Sequence, residues 1–349
     1  MNARSELWDR LVAAGVVSGA MPERIAAASP WYITTMMAVA AWIASIFLLI
    51  FLGLALKDIV STATGAMTAG AIVCIACAVV MHVARDRIFI GQLAVALSLA
   101  GQALIAFGIF DQHWRSAGAW IAFAAVESVL AVAAPNYAHR VLTTLAAAWS
   151  LRFAFAVALV APLFAPLCAV AFVAADRASR RFAWGGWLPI SAGLALAALF
   201  TIPPSFGEIF WWPGRGPLAL DAGTAWFAAA FLAAVLVVVV AEPIRHAGLS
   251  FTSRTAVVAF ATAIAAALAA QPVPGVTVGL IVLIVAYSQG RRALCGLALA
   301  SMIVALSHYY FALDTTLLAK SAALLATGIV LLAGGFAVRL GLAGEPAHA

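Results

Sequence analysis

Glu127 and Arg152 are the ionisable residues set deepest in apolar sequence. An acid and a base at such depth can neutralise one another or move a proton. They lie on consecutive apolar stretches joined by Pro135 to Arg140. A turn centred near Tyr137 puts Arg152 opposite Ala122, roughly 7.5 Å along the axis from Glu127, a gap that a long Arg can cover. Each group alone costs about 2.5–3.5 kcal/mol in the hydrocarbon interior, so an intramembrane ion pair is the expected arrangement. An Arg152 extended to the outer surface and a proton or substrate path are the alternatives.

A second set of polar residues gathers where the chain leaves its apolar stretches. Glu208, Trp211, Trp212 and Arg215 fall in the long gap from Pro203 to Asp221, while His308, Tyr309, Tyr310, Asp314, Thr316 and Lys320 surround another. Aromatic residues at such boundaries ordinarily form an interfacial belt. Acids, cations and paired Trp residues on one face also suit a docking or ligand groove. Lys320 opens a stretch where its charge opposes a helix dipole, with Asp314 or Glu208 as an available partner.

Cys74 and Cys77 form a C-x-x-C inside an apolar stretch, and Cys168 and Cys295 have no matching pair. Metal ligands cluster in loops or at helix ends, so these read as small core residues. A bis-His haem needs two facing helices with histidines at one depth; His113 and His308 meet that loosely, without a second pair. No catalytic constellation, metal or cofactor is expected.

The elements that position these residues follow from composition. Of 349 residues, 66% are hydrophobic and 9% charged, against about 25% charged in ordinary soluble domains. A span needs about 20 apolar residues. The pattern predicts an all-α polytopic transmembrane helix bundle of about 12 spans, at 32–56, 64–81, 88–110, 117–134, 141–157, 158–175, 186–202, 223–241, 252–269, 273–288, 293–311 and 321–342. The weakest stretch is 141–175, where Arg152 interrupts one half and Pro162 and Pro166 break the other. Residues 1–31 read as a cytoplasmic amphipathic segment, in which Ser5 caps a helix that Gly15 and Gly19 end. Residues 32–342 read as one membrane domain and 343–349 as a short cytoplasmic tail. The first apolar run is too long, and starts too late, for a secretory signal.

The 19 Lys and Arg residues set an orientation. With the amino terminus in the cytoplasm, inside gaps hold Arg4, Arg10, Arg24, Arg85, Arg87, Arg140, Arg177, Arg180, Arg181, Arg245, Arg254, Arg291, Arg292 and Arg339. Outside gaps hold Lys57, Arg115, Arg215 and Lys320. This imbalance is the positive-inside signature, and it places both termini in the cytoplasm. The net charge of +6 belongs to that topology; there is no solvated basic domain to bind nucleic acid.

The last third carries a recognisable pattern: Pro274-Gly275, Leu283-Ile284-Val285-Ala286-Tyr287, Gly290-Arg291-Arg292, Gly296-Leu297, His308-Tyr309-Tyr310, Thr316-Leu317-Leu318, Lys320-Ser321 and Gly328. Near the front stand Leu7-Trp8, Gly15-Val16-Val17, Pro30-Trp31-Tyr32, Trp42 and Phe47-Leu48-Leu49. Together these resemble the bacterial membrane family called domain of unknown function 4401. Phe311 departs from a Tyr common there, as does Ser288-Gln289 from small and basic residues. The resemblance implies a polytopic inner-membrane protein, often encoded beside a small protein with a GDYxxLxY motif and a second polytopic membrane protein. It implies no activity.

Three functions are open. The leading expectation is a non-enzymatic subunit or scaffold of an envelope membrane complex that docks a small partner at its outer face, with membrane lipids around it. A secondary transporter of a small or lipid-like molecule fits the helix number but has few midplane polar groups. An enzyme acting on lipid-linked sugars fits least, since the first outer gap carries only Asp58.

Overall fold

A chain in hydrocarbon must satisfy every backbone N–H and C=O from within, so apolar stretches of this length become helices. The computed structural model describes residues 8, 10–16, 31–55, 57–84, 87–111, 116–157, 161–200, 222–271 and 273–312, with isolated turns between 318 and 339, and among these no strand occurs. The main helices are α1 Trp31–Ala55, α2 Ala63–Val83, α3 Ile88–Phe110, α4 Ala117–Ala133, α5 Tyr137–Val157, α6 Phe164–Arg181, α7 Trp187–Leu199, α8 Ala222–His246, α9 Arg254–Ala269, α10 Pro274–Ser288 and α11 Arg292–Ala312. Among the described residues, α1, α2, α3, α8 and α11 are long and apolar enough to cross a membrane, and α4, α7, α9 and α10 are shorter apolar helices. The stretch expected as a twelfth span, 321–342, falls largely outside the described residues.

The region 141–175 does hold two helices, but its boundaries differ from those expected. α5 begins at Tyr137 and runs unbroken through Arg152 to Val157. Pro162 lies in a single 3-10 turn, Ala161–Leu163, and Pro166 lies in the first turn of α6. A proline there forfeits no helical hydrogen bond, so these prolines start a helix instead of breaking one. Near the amino terminus, Gly15 takes a φ of 71°, and the Val16 N–H donates to Leu11 O at 3.1 Å. This left-handed closing turn is the expected stop; Ser5 and Gly19 lie outside the described residues.

Consecutive helices pack as hairpins: α2 with α3, α4 with α5, α6 with α7, α8 with α9, and α10 with α11. The main apolar core lies among α6, α7, α8 and α10, around Phe164, Phe172, Leu232, Leu236, Ile281 and Val282. The α2–α3 hairpin is closed by small residues. A Cβ on Gly70 would lie 2.5 Å from Gly101 O, and one on Gly101 would lie 2.8 Å from Cys74 Sγ and 2.9 Å from Gly70 O. Such close approach is how helices gain contact where no hydrophobic effect drives them together.

Replacing Gly101 with Val should therefore force α2 and α3 apart, at a cost of about 1–3 kcal/mol. Gly296→Val, a position with open space around its Cα, should cost little. Thermal unfolding in detergent compares the two; equal midpoints would contradict the close-packed hairpin.

Candidate functional site

Among the described residues, α3, α4 and α5 enclose a chain of four polar side chains, and its geometry begins with a cap. Asn136 precedes α5 and its Oδ1 accepts from the His139 N–H at 3.1 Å, the bond an N-cap residue makes with the third helical position. That cap fixes the first turn of α5 and turns His139 into the interior, where it is 1% exposed. On α3, Ser98 and Gln102 are one turn apart and share a buried face. Glu127, on the buried face of α4 with Ala124 and Ala131, is 0% exposed.

These four side chains touch in sequence. Ser98 Oγ lies 2.8 Å from His139 Nε2. One end of the Gln102 amide lies 3.2 Å from His139 Nε2 and 3.3 Å from Ser98 Oγ, and the other end lies 3.2 Å from each oxygen of Glu127. A carboxylate only accepts, so with Glu127 ionised the amide NH2 faces Glu127 and the amide oxygen accepts from His139 Nε2–H. Behind the chain, Cys74 Sγ donates to Ser98 O at 3.5 Å. His139 Nδ1 is buried with no hydrogen-bond partner.

Glu127 and Arg152 do not form the expected ion pair. Among the described residues the ion pairs are Arg177–Glu242, Arg180–Asp176, Arg180–Glu242 and Arg291–Asp176. The Arg152 guanidinium carbon instead lies 5.9 Å from the centre of the Phe164 ring. Axial distance did not decide this; direction around the helix did. Thirteen positions at about 100° each set Arg152 roughly 140° around α5 from His139, so it faces α6 while Glu127 meets the α3–α5 side.

Of the residues expected at the outer face, Glu208, Trp211, Trp212, Arg215, Asp314, Thr316 and Lys320 lie outside the described residues. His308 and Tyr310 are half-buried on the last turns of α11. Tyr309 packs against Ala270, Val273 and Val276, which joins α11 to the α9–α10 turn.

A second polar cluster gathers at one end of the bundle, where gaps that the charge count assigns to one face meet. Asp176 is 1% exposed and accepts on Oδ2 from Arg180 at 3.1 Å and from Gln289 at 2.6 Å. Arg291 approaches Oδ1 at 3.1 Å as an ion pair without hydrogen-bond alignment. Glu242 pairs with Arg177 at 3.2 Å and Arg180 at 2.6 Å. At the same end, Arg140 covers Trp184 at 5.0 Å, and its Nε donates to Ala134 O at 2.6 Å, close to the end of α4.

Beside the buried chain, α4 to α7 line an apolar groove of about 380 Å³. Ser128 and Thr144 supply its hydroxyls, and Leu151, Phe164, Leu167 and Leu194 much of its wall.

Sequence reasoning singled out Glu127 but not Ser98, Gln102 or His139. Two signals were present: a Ser and a Gln four apart in an apolar 23-residue helix, and a His three places after an Asn that follows Pro135.

Comparison with known proteins gives one match. The family described as "Domain of unknown function (DUF4401)" matches residues 30–340. No curated protein and no solved structure matches.

The end cluster makes a graded prediction. Asp176→Ala leaves two guanidinium groups without their buried acid and should cost about 3 kcal/mol, at the low end for a broken buried pair because the Arg side chains are partly hydrated. Glu242→Gln, at a more open site, should cost about 1 kcal/mol or less. Denaturation in mixed micelles reads both, and the reverse order would contradict the central place of Asp176.

Proposed function

Since the chain belongs to the DUF4401 family, which carries no activity with its name, we propose from the geometry that it is a proton-linked secondary transporter. The observation that carries this reading is the buried chain Glu127–Gln102–His139–Ser98. An ionisable residue is costly inside a membrane and is retained there mainly for proton relays, ion paths or counter-ions. Here the acid meets a neutral amide and, beyond it, an imidazole that can hold or release a proton, instead of a permanent cation. The groove beside it, almost wholly apolar, suits a lipid-like cargo better than a sugar or an ion.

The finer topology is part of the same proposal. The protein has twelve spans in the bacterial inner membrane, with both termini in the cytoplasm. The uneven division of Lys and Arg supports this, as does the meeting of Arg177, Arg180 and Arg291 with Asp176 and Glu242 at one end.

A second reading, a non-enzymatic subunit that docks a small protein, is favoured by one observation. Within the span Arg292–Tyr310 only 6% of its 18-residue apolar window is buried, so among the described residues α11 leaves an open face, with Ile303 and Val304 exposed, to lipid or to another membrane protein.

Two measurements separate these readings. In liposomes, the protection of α3–α5 amides relative to their intrinsic exchange rate at each pH should change about tenfold between acidic and alkaline buffer, and Glu127→Gln should hold protection at its acidic level. An identical pH response in both proteins would sink the proton-linked reading. Purification in mild detergent with mass spectrometry of the intact assembly should return the chain without a stoichiometric protein partner; a small protein in fixed ratio would favour the second reading.

A further inference from the structure

The Gln102 amide lies between two groups with opposite demands, and that position lets it report one to the other. With Glu127 ionised, the amide NH2 faces both carboxylate oxygens, each at 3.2 Å. The amide oxygen then accepts from His139 Nε2–H, also at 3.2 Å. The imidazole proton is on Nε2, and the bare Nδ1, buried without a partner, needs none: a lone pair left unbonded costs less than an N–H left unbonded.

Protonating Glu127 reverses each demand. The new carboxylic O–H donates, so the amide oxygen belongs at the Glu127 end, and the NH2 turns to His139 Nε2 at 3.2 Å and Ser98 Oγ at 3.3 Å. Nε2 must now accept on its single lone pair, from the amide N–H or from Ser98 Oγ–H at 2.8 Å, so the imidazole carries its proton on Nδ1. The balance is one proton taken up at Glu127, while the imidazole stays neutral and exchanges an Nε2 proton for one on Nδ1. Both orientations of the amide satisfy the same atoms at the same distances, and only the state of Glu127 selects between them.

We propose that Gln102 is a switch that couples protonation of Glu127 on α4 to the tautomer of His139 at the start of α5. The coupling has a mechanical consequence. In the protonated state the Nδ1–H has no acceptor in its present position, and a buried donor without a partner costs free energy. His139 must then move to find one, and it carries the Asn136-capped first turn of α5 with it. The titratable and charged groups around the chain are few: Cys74 and Cys77 on the buried face of α2, and Arg140 beside His139, which donates to the Ala134 and Val132 carbonyls.

This inference rests on Glu127 being a proton site, and one experiment tests the two separately. In liposomes, infrared difference spectra across pH follow the carboxylic acid band that Glu127→Gln removes. Solid-state 15N spectra of histidine-labelled protein follow the His139 tautomer, assigned by its loss in His139→Asn. The expected result is a change from Nε2–H to Nδ1–H at the same midpoint as the Glu127 band. Gln102→Met should keep the band and lose the tautomer change. A tautomer that still follows the band in Gln102→Met, or one that stays Nε2–H throughout in the unaltered protein, overturns the switch and leaves the proton site standing. Absence of any band attributable to Glu127 overturns both. Should Gln102→Met fail to fold, the titration of the unaltered protein decides alone.

Discussion

A polar group inside a bilayer finds no water, and its partner must come from the protein. That constraint governs each part of this structure. It makes the backbone helical and confines most charge to the helix ends. It also draws Glu127, Gln102, His139 and Ser98 into one continuous chain, because a Glu, a Gln, a His and a Ser left apart would each be a liability. The chain exists because α2 and α3 approach through Gly70 and Gly101, which sets the face bearing Ser98 and Gln102, and because Asn136 holds the first turn of α5 so that His139 meets them.

The two polar clusters differ in a way that matches their surroundings. At the end of the bundle, Asp176 and Glu242 are met by three guanidinium groups, a permanently charged arrangement affordable where the Arg side chains still reach water. In the interior, Glu127 is met by an amide with an imidazole beyond it, neither with a fixed charge. The first arrangement resists change, since any lost partner leaves a charge uncompensated. The second offers the Gln102 amide two orientations, and the proposed protonation of Glu127 selects between them.

Much of the fold was legible along the chain, and specific residues explain where legibility stopped. The helices fall close to the expected spans, since length and hydropathy are properties of consecutive residues. The prolines at 162 and 166 misled because a breaker in mid-helix and a starter in the first turn are the same residue type, separated only by where the helix begins. Tyr309, expected at the outer face, is half-buried against the cluster of Ala270, Val273 and Val276, a contact that aromatic character alone does not predict.

Glu127 marks the boundary between the two kinds of information. The sequence by itself determined that this acid lies within an apolar helix, and that the bundle is helical, because length and hydropathy are one-dimensional. Its partner was a matter for tertiary structure alone. Arg152 has a suitable depth but the wrong direction around α5, whereas Gln102 and His139, remote in sequence from one another, come together through helix rotation and the close approach of backbones. Those are set by packing between elements, and no spacing within a single helix encodes them.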